Sequence, residues 1–208
     1  KMADVADRMS IAPGTLYLYV KSKEALYDVA LRYTLSVARG HQFPTPEVLP
    51  LKSANFKKTI DEVRQHVGSD REKMKLYHVD LQRIPTNPRQ EFITLFGEVY
   101  DLYARWQMAI KLLNNTTDHP ELVELWTHKS RRALYDKVYR YLITRMRQEV
   151  IRPLMEPNAA TLMLVNTLSN FTCRLDPLTR AVEFDRDQGR TMALDLLCSA
   201  YLHPQHKH

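Results

Sequence analysis

Apolar residues recur at spacings of three and four along most of the chain, and no stretch shows the strict alternation that is typical of a strand. From 23 to 39 the apolar side chains fall on one side of a helix. The longest pattern of this kind covers 121–150, and its apolar stripe consists of Leu134, Val138, Leu142, Met146 and Val150. The pattern therefore predicts an all-α fold.

Capping and breaking residues divide this pattern into separate helices. Pro13 can open a helix, Ser22 can cap one, and Gly68 can end one before a capping box formed by Ser69 and Glu72. The predicted helices cover 2–9, 13–19, 23–39, 56–67, 69–84, 89–114, 121–150, 157–173 and 185–202. A proline-rich linker over 41–51 leads us to expect two domains, 1–40 and 41–208.

Composition places the chain among globular proteins. Of its 208 residues 44 % are apolar, only 5 are glycine, and the formal net charge is +6, which favours an anionic partner. The two cysteines, Cys173 and Cys198, suit a reducing cytosol better than a disulfide scaffold. We find no run of about 18 apolar residues and no signal peptide, so we expect a cytoplasmic protein without a membrane span.

The stretch from Ala3 to Leu26 reads as two short helices, a tight turn and the start of a longer helix. A helix-turn-helix uses this arrangement to present its second helix to the major groove of DNA. The positions predicted to face inward, as a small core, are Val5, Ala6, Ile11, Leu16, Val20 and Leu26. The remaining side chains of the second helix are then free to face DNA.

Those side chains have suitable chemistry for a DNA backbone. Gly14 allows a close backbone approach, and the Thr15 hydroxyl lies near a helix N-terminus. Tyr17 and Tyr19 carry hydroxyls that can donate to phosphate oxygens, and Lys23 can neutralise a phosphate. An ordinary helical hairpin with a chance Gly-Thr-Leu-Tyr is the alternative interpretation.

This stretch of about 25 residues resembles the TetR (tetracycline repressor) family. The family pattern is roughly Ile-Ala-x-x-x-Gly-Val-Ser-x-Gly-Thr-Leu-Tyr-x-His/Tyr-Phe-x-x-Lys-x-x-Leu. The matching or equivalent positions are Val5-Ala6, Ser10-Ile11-Ala12, Gly14-Thr15-Leu16-Tyr17, Tyr19, Val20, Lys23 and Leu26. Three of them depart from the pattern, because Ser10 replaces a turn glycine, Ala12 an N-cap serine and Val20 a large aromatic residue.

The resemblance implies a homodimer that binds a near-palindromic operator and responds to a small-molecule effector. Thr15, Tyr17, Tyr19 and Lys23 would contact phosphates, while Pro13, Gly14 and Leu18 would lie nearest the bases. The family's first helix and basic N-terminal arm would precede Lys1, so we expect the numbering to begin inside the natural protein.

The resemblance also implies a variable helical domain with an effector cavity and a dimer interface from the last two helices. The candidate pocket residues are Phe96, Tyr100, Tyr103, Trp106 and Trp126, which would otherwise be core. The candidate dimer contacts are Leu162, Val165, Leu168, Leu196 and Ala200, which core packing within one subunit would explain equally well.

The segment 129–152 is strongly basic. We interpret it mainly as the solvated face of a long helix, with a second nucleic-acid surface or a pocket for an acidic ligand as alternatives. No phosphate-binding glycine loop, His-Glu-x-x-His, Cys-x-x-Cys or Gly-x-Ser-x-Gly motif is present, so we expect no enzyme, cofactor or metal.

Two functional hypotheses follow. The first is a DNA-binding regulator, a repressor that a small molecule releases from its operator. The second is a helical protein that binds a small molecule or a partner and has lost DNA binding. Ala12, Ser10 and the few basic residues on the recognition helix motivate the second hypothesis.

Overall fold

The computed structural model describes residues 1–43, 49–51, 56–116, 118–173 and 185–206, so the part of the predicted linker over 44–48 lies outside the described residues. Within these ranges the regular elements are helical and no strand forms, apart from two isolated bridge pairings. The all-α prediction is confirmed. The chain divides into two compact units, Lys1–His66 and Val67–His208, and each is described by itself.

The first unit contains α1 (Met2–Arg8), α2 (Pro13–Tyr19), α3 (Lys23–Ala38) and the beginning of α4 (Phe56–Lys73). Its small core consists of buried Ala6, Leu16, Val20 and Ala25. The partly buried side chains around it are Met2, Val5, Ile11, Leu26 and Leu51. All six residues that the sequence predicted for this core belong to it, so that prediction is confirmed.

A buried carboxylate joins α3 to the start of α4. The side chain of Asp28 accepts a hydrogen bond from the Thr59 hydroxyl and lies 2.8 Å from Nη2 of Arg32. A second pair, Arg39 with Glu62, lies at 3.8 Å. Because these contacts tie the beginning of α4 to α3, the first unit extends to His66 and not only to residue 40 as we predicted.

The second unit is built around one long helix, α6 (Pro88–Asn114). The Asn87 side chain caps it by accepting a hydrogen bond from the Gln90 amide at 3.0 Å, and Pro88 occupies its first turn. The remaining elements are α5 (Lys75–His78), α7 (Pro120–Val123), a π-helical stretch (Glu124–Arg131), α8 (Arg132–Arg147), α9 (Pro157–Cys173), α10 (Arg186–Tyr201) and a 3₁₀ turn (Pro204–His206). Helix α6 packs against α5, α9 and α10, and α8 packs against α9.

Two predicted helices have a different form in the structure. Helix α4 continues through Gly68 to Lys73, and α5 is followed by an irregular segment over 79–87, so the predicted break at Gly68 and the predicted helix over 69–84 are wrong. The predicted helix over 121–150 consists of α7, the π-helical stretch and α8. Within the π-helical stretch the buried Ser130 hydroxyl donates to the Leu125 carbonyl at 2.7 Å.

Two side chains, one at the end of α8 and one directly after it, bind the carbonyl oxygens of the irregular segment. Arg145, which is fully buried, donates from Nη1 to the Arg83 carbonyl at 2.7 Å and from Nη2 to the Asp80 carbonyl at 3.3 Å. Gln148 donates to the Leu81 carbonyl at 2.9 Å. These bonds replace the hydrogen bonds that a helix over 79–84 would make.

Arg145 also forms a bidentate ion pair with Glu91 of α6. Its Nε and Nη2 atoms donate to the two carboxylate oxygens, both at 2.9 Å, and Nη1 also donates to the Gln148 side chain at 2.6 Å. With the two carbonyls, all five N–H donors of the guanidinium have acceptors. Our expectation that the basic residues of this segment form a solvated face is therefore wrong for Arg145.

Removing Arg145 is expected to destabilise the protein strongly. Arg145→Met leaves the Glu91 carboxylate, whose side chain is only 19 % exposed, without its cation, and we expect a loss of about 3 to 5 kcal/mol. Chemical denaturation measures this, with Arg140→Met as a control because Arg140 is exposed on the same helix and should change stability by less than about 0.5 kcal/mol. Equal stability of the two variants would contradict the structural role of Arg145.

Candidate nucleic-acid interface

The turn between α1 and α2 is closed by backbone hydrogen bonds around a left-handed residue. Ser10 has φ +55°, its amide donates to the Asp7 carbonyl at 3.0 Å, and the Ile11 amide donates to the Ala6 carbonyl at 3.0 Å. This is the Schellman pattern, in which glycine usually occupies the left-handed position. Ser10, which replaces a turn glycine, therefore occupies the left-handed position of this turn, and the Ile11 side chain packs on the small core.

Helix α2 begins without a side-chain cap. Ala12 occupies the N-cap position in an extended conformation, Pro13 follows in the first turn, and the Thr15 amide donates to the Ala12 carbonyl at 2.9 Å. An alanine at this position is less stabilising than serine by about 1 kcal/mol. The replacement of an N-cap serine by Ala12 therefore leaves α2 without a side-chain cap.

Helix α2 turns Leu16 and Val20 into the core and presents its other side chains outward. Of the large residues between them, Tyr17 is 46 % exposed, Leu18 67 % and Tyr19 52 %. Three consecutive large apolar or aromatic side chains left in solvent are uncommon in a monomer and indicate a contact surface.

The smaller candidate residues lie at the ends of this surface. Pro13, Gly14 and Lys23 are exposed, and Thr15 is half-buried. Among the described residues no atom lies within 4 Å of a Cβ built on Gly14, so packing within the chain does not require glycine there. The open space is compatible with the close approach that we predicted for Gly14.

The charge around α1 and α2 is nearly balanced. Over 1–26 the basic residues number four and the acidic residues three, which leaves a net charge of only +1. Long-range attraction of DNA by this segment is therefore weak, and contacts to its hydroxyls and amides would have to contribute more of the affinity.

Leu51 is a structural residue of this site that the sequence analysis missed. Its amide donates to the Tyr19 carbonyl at 2.9 Å, its carbonyl accepts from the Lys21 amide at 3.0 Å, and its side chain packs on the small core. The bridge holds the end of α2. No local pattern signals it, because the pairing partners are about thirty residues apart in a proline-rich stretch.

The five candidate pocket residues are buried side chains of the second unit. The ring of Phe96 lies edge-on to Tyr141 at 5.4 Å, and burial raises the pKa of the Tyr100 hydroxyl. The indoles of Trp106 and Trp126 donate to Asp70 and Asn114, both at 2.8 Å. None of the cavities found among the described residues is lined by Phe96, Tyr100, Tyr103, Trp106 or Trp126. One of these cavities has a volume of about 560 Å³ and is lined by residues between 75 and 95.

Three of the five candidate dimer contacts are on the surface. Leu162 and Leu196 are about half exposed, and Ala200 is exposed. Val165 and Leu168 are fully buried, so their predicted contact with a partner is wrong, because their side of α9 is enclosed in the core of one subunit. Met163 and Met192, which the sequence analysis did not select, are exposed on the same two helices.

Other kinds of site are not apparent in the described part of the chain. No group of three or more potential metal ligands occurs there, and no helix there has the length and apolar character that a membrane span requires. Burial raises the pKa of the Cys198 thiol to about 11, which makes it a poor nucleophile. The Cys173 side chain lies outside the described residues.

A glycine at position 10 is expected to stabilise the turn. Ser10→Gly removes the steric cost of a left-handed residue with a Cβ and should raise the free energy of unfolding by about 1 kcal/mol. Denaturation of the full chain measures it. As a matched control, Ser36→Gly within α3 should lower stability by about 0.5 kcal/mol, and a loss of stability in both variants would show that Ser10 is not strained.

Comparison with known proteins assigns this chain to no family. No protein-family model, curated protein or solved structure matches the chain. The function of the α1–α2 surface is therefore argued from its residues and their exposure.

Proposed function

We propose that the protein is a DNA-binding transcriptional regulator whose α2 enters the major groove. The observation that carries the proposal is the orientation of α2, which buries Leu16 and Val20 while Tyr17, Leu18 and Tyr19 stay in solvent. A helix held from behind by a small core and exposed on its other sides fits the width of the major groove. The resemblance of this stretch to the TetR family supports the same function.

Each exposed residue would have a defined part in binding. The hydroxyls of Tyr17 and Tyr19, the hydroxyl of Thr15 and the ammonium group of Lys23 would bind phosphate oxygens. Pro13, Gly14 and Leu18 would lie against base edges, where apolar contacts favour thymine methyl groups.

A homodimer would supply the second recognition helix. Helices α9 and α10 carry exposed apolar side chains, among them Leu162, Met163, Met192 and Leu196. Pairing of these two helices with their symmetry mates would form a four-helix bundle and bury those side chains. Two half-sites of an operator would then be read together.

A small molecule would control the affinity for DNA. The aromatic side chains of α6 are closely packed, so an effector that binds among them has to separate them. An effector that prefers the rearranged state lowers DNA affinity by its difference in affinity for the two states. Repression that the effector relieves is the form of regulation that we propose.

The alternative function is a helical protein that binds a small molecule or a partner but no longer binds DNA. The net charge of only +1 over 1–26 and the missing cap at Ala12 favour it. DNA-binding measurements separate the two functions directly.

Gly14→Ala tests the recognition surface without disturbing the fold. Because no described atom lies near the new methyl group, stability should rise by about 0.5 to 1 kcal/mol, while the affinity for the DNA upstream of the protein's own gene should fall at least about tenfold. A gel shift measures the affinity. Gly68→Ala, at an equally open glycine on α4, is the matched control and should leave DNA binding unchanged.

The double variant Tyr17→Phe, Lys23→Ala should also bind that DNA more weakly and with less dependence on salt. Unchanged binding by this variant and by Gly14→Ala would contradict the proposed surface. No salt-sensitive binding by the unmodified protein would favour the alternative function.

Introducing a charge at the proposed interface tests the dimer. Leu196→Glu places a carboxylate on the proposed interface and should convert a dimer into monomers in sedimentation experiments. Met108→Glu is the control, since Met108 on α6 is 57 % exposed and Leu196 is 51 % exposed. A dimer that persists in the Leu196 variant would show that α10 does not form the interface.

A further inference from the structure

The whole excess of positive charge on this chain comes from one segment of the second unit. Over 129–147 seven residues are basic and only Asp136 is acidic, which leaves a net charge of +6. The rest of the chain has 23 basic and 23 acidic residues and is neutral. A partner attracted by charge would therefore meet this segment, and the α1–α2 surface would contribute little to the attraction.

Four of these seven cations are exposed, and three of the four have no carboxylate within ion-pair distance among the described residues. Arg145 is excluded because it is buried against Glu91. Arg132, Arg140 and Arg147 are exposed, and in the described part of the chain no carboxylate lies within 4 Å of their guanidinium groups. Lys129, whose side chain is 68 % exposed, is 4.0 Å from Glu124.

The three exposed arginines lie on one side of α8. Their spacings of eight and seven residues place them within an arc of about 80° and along about 22 Å of the helix axis. We call the surface formed by Arg132, Arg140 and Arg147 the arginine face. Its field reaches a neighbouring residue, because burial and then the positive charge of Arg140 lower the pKa of Lys137.

We infer that the arginine face binds the phosphate backbone of double-stranded nucleic acid, as a contact site separate from α2. A duplex presents about 13 phosphate charges along 22 Å of its axis, so the spacing of the three arginines can be matched without bending it. Planar guanidinium groups bind phosphate oxygens through paired N–H donors.

The surface suits a nucleic acid better than a membrane. None of the exposed large hydrophobic side chains of the described chain lies between 129 and 147, so α8 has no apolar anchor for a lipid surface. Within the described residues, the only apolar side chain among the three arginines, Ile143, is half-buried, so the surface lacks the central apolar anchor that a protein partner would need. Binding should therefore be independent of base sequence and strongly dependent on salt.

This inference does not rest on the proposed regulator function. A protein that has lost sequence-specific binding through α2 would still hold a duplex on the arginine face. A duplex of unrelated sequence is therefore the right probe, because it measures the phosphate contact alone.

The experiment compares two triple variants of the full chain that lose the same charge. Arg132→Gln, Arg140→Gln, Arg147→Gln removes the arginine face. The control, Arg64→Gln, Lys73→Gln, Arg105→Gln, removes three exposed cations from α4 and α6. Fluorescence anisotropy with an unrelated duplex of roughly 30 base pairs is recorded over a range of salt concentrations.

The face variant should bind at least about tenfold more weakly, and its slope of log affinity against log salt should be smaller by about 2 to 3, because each lost phosphate contact removes about 0.9. The control should bind within about twofold of the unmodified protein. Equal weakening of both variants would overturn the inference, since net charge alone would then explain binding.

Two further measurements test whether the bound partner is a nucleic acid. Asp136→Asn removes the only acidic residue of the segment and should strengthen duplex binding at low salt. Poly-glutamate and vesicles of anionic lipid, at equal charge concentration, should compete poorly with the duplex. Equal competition by either would overturn the assignment to nucleic acid in favour of an acidic protein or a membrane surface.

Discussion

The buried ion pair between Arg145 and Glu91 is the interaction on which the second unit depends. It joins α8 to α6 and, through the carbonyls of Asp80 and Arg83, holds the irregular segment between α5 and α6. A buried guanidinium is tolerated only where all its donors have acceptors, and here they do. The pair therefore links α8 to the first turn of α6, and the same guanidinium binds the non-helical backbone at Asp80 and Arg83.

In the first unit, a small apolar core supports the exposed surface of α2. Four fully buried side chains and five partly buried ones hold α1, α2 and α3, and the turn at Ser10 and the start at Ala12 contribute less stability than the usual residues would. The first unit also buries Leu31, Leu35, Ile60 and Val63 on α3 and α4. The small cluster under α2 supports the exposed side chains of Tyr17, Leu18 and Tyr19.

The excess positive charge of this protein and its exposed recognition-like helix α2 lie in different segments of the chain. The helix with the most suitable shape for a major groove lies in a nearly neutral segment, whereas the helix with the positive charge lies in the second unit. Because phosphate attraction acts over about a Debye length and base contacts act only at van der Waals distance, the two properties need not lie on the same helix. A non-specific contact on α8 and a specific contact on α2 would then be separate contributions to affinity.

The sequence by itself determined the helical class, the helix-turn-helix core and the special backbone of Ser10, because these depend on periodicity and on neighbours a few residues apart. It indicated which residues of α2 face outward for the same reason. Only the tertiary structure decided the positions of Arg145, Leu51, Val165 and Leu168, since their environment is formed by partners 30 to 60 residues away or on other helices. An arginine on an amphipathic helix looks solvated until the carboxylate and carbonyls that bury it are brought together by folding.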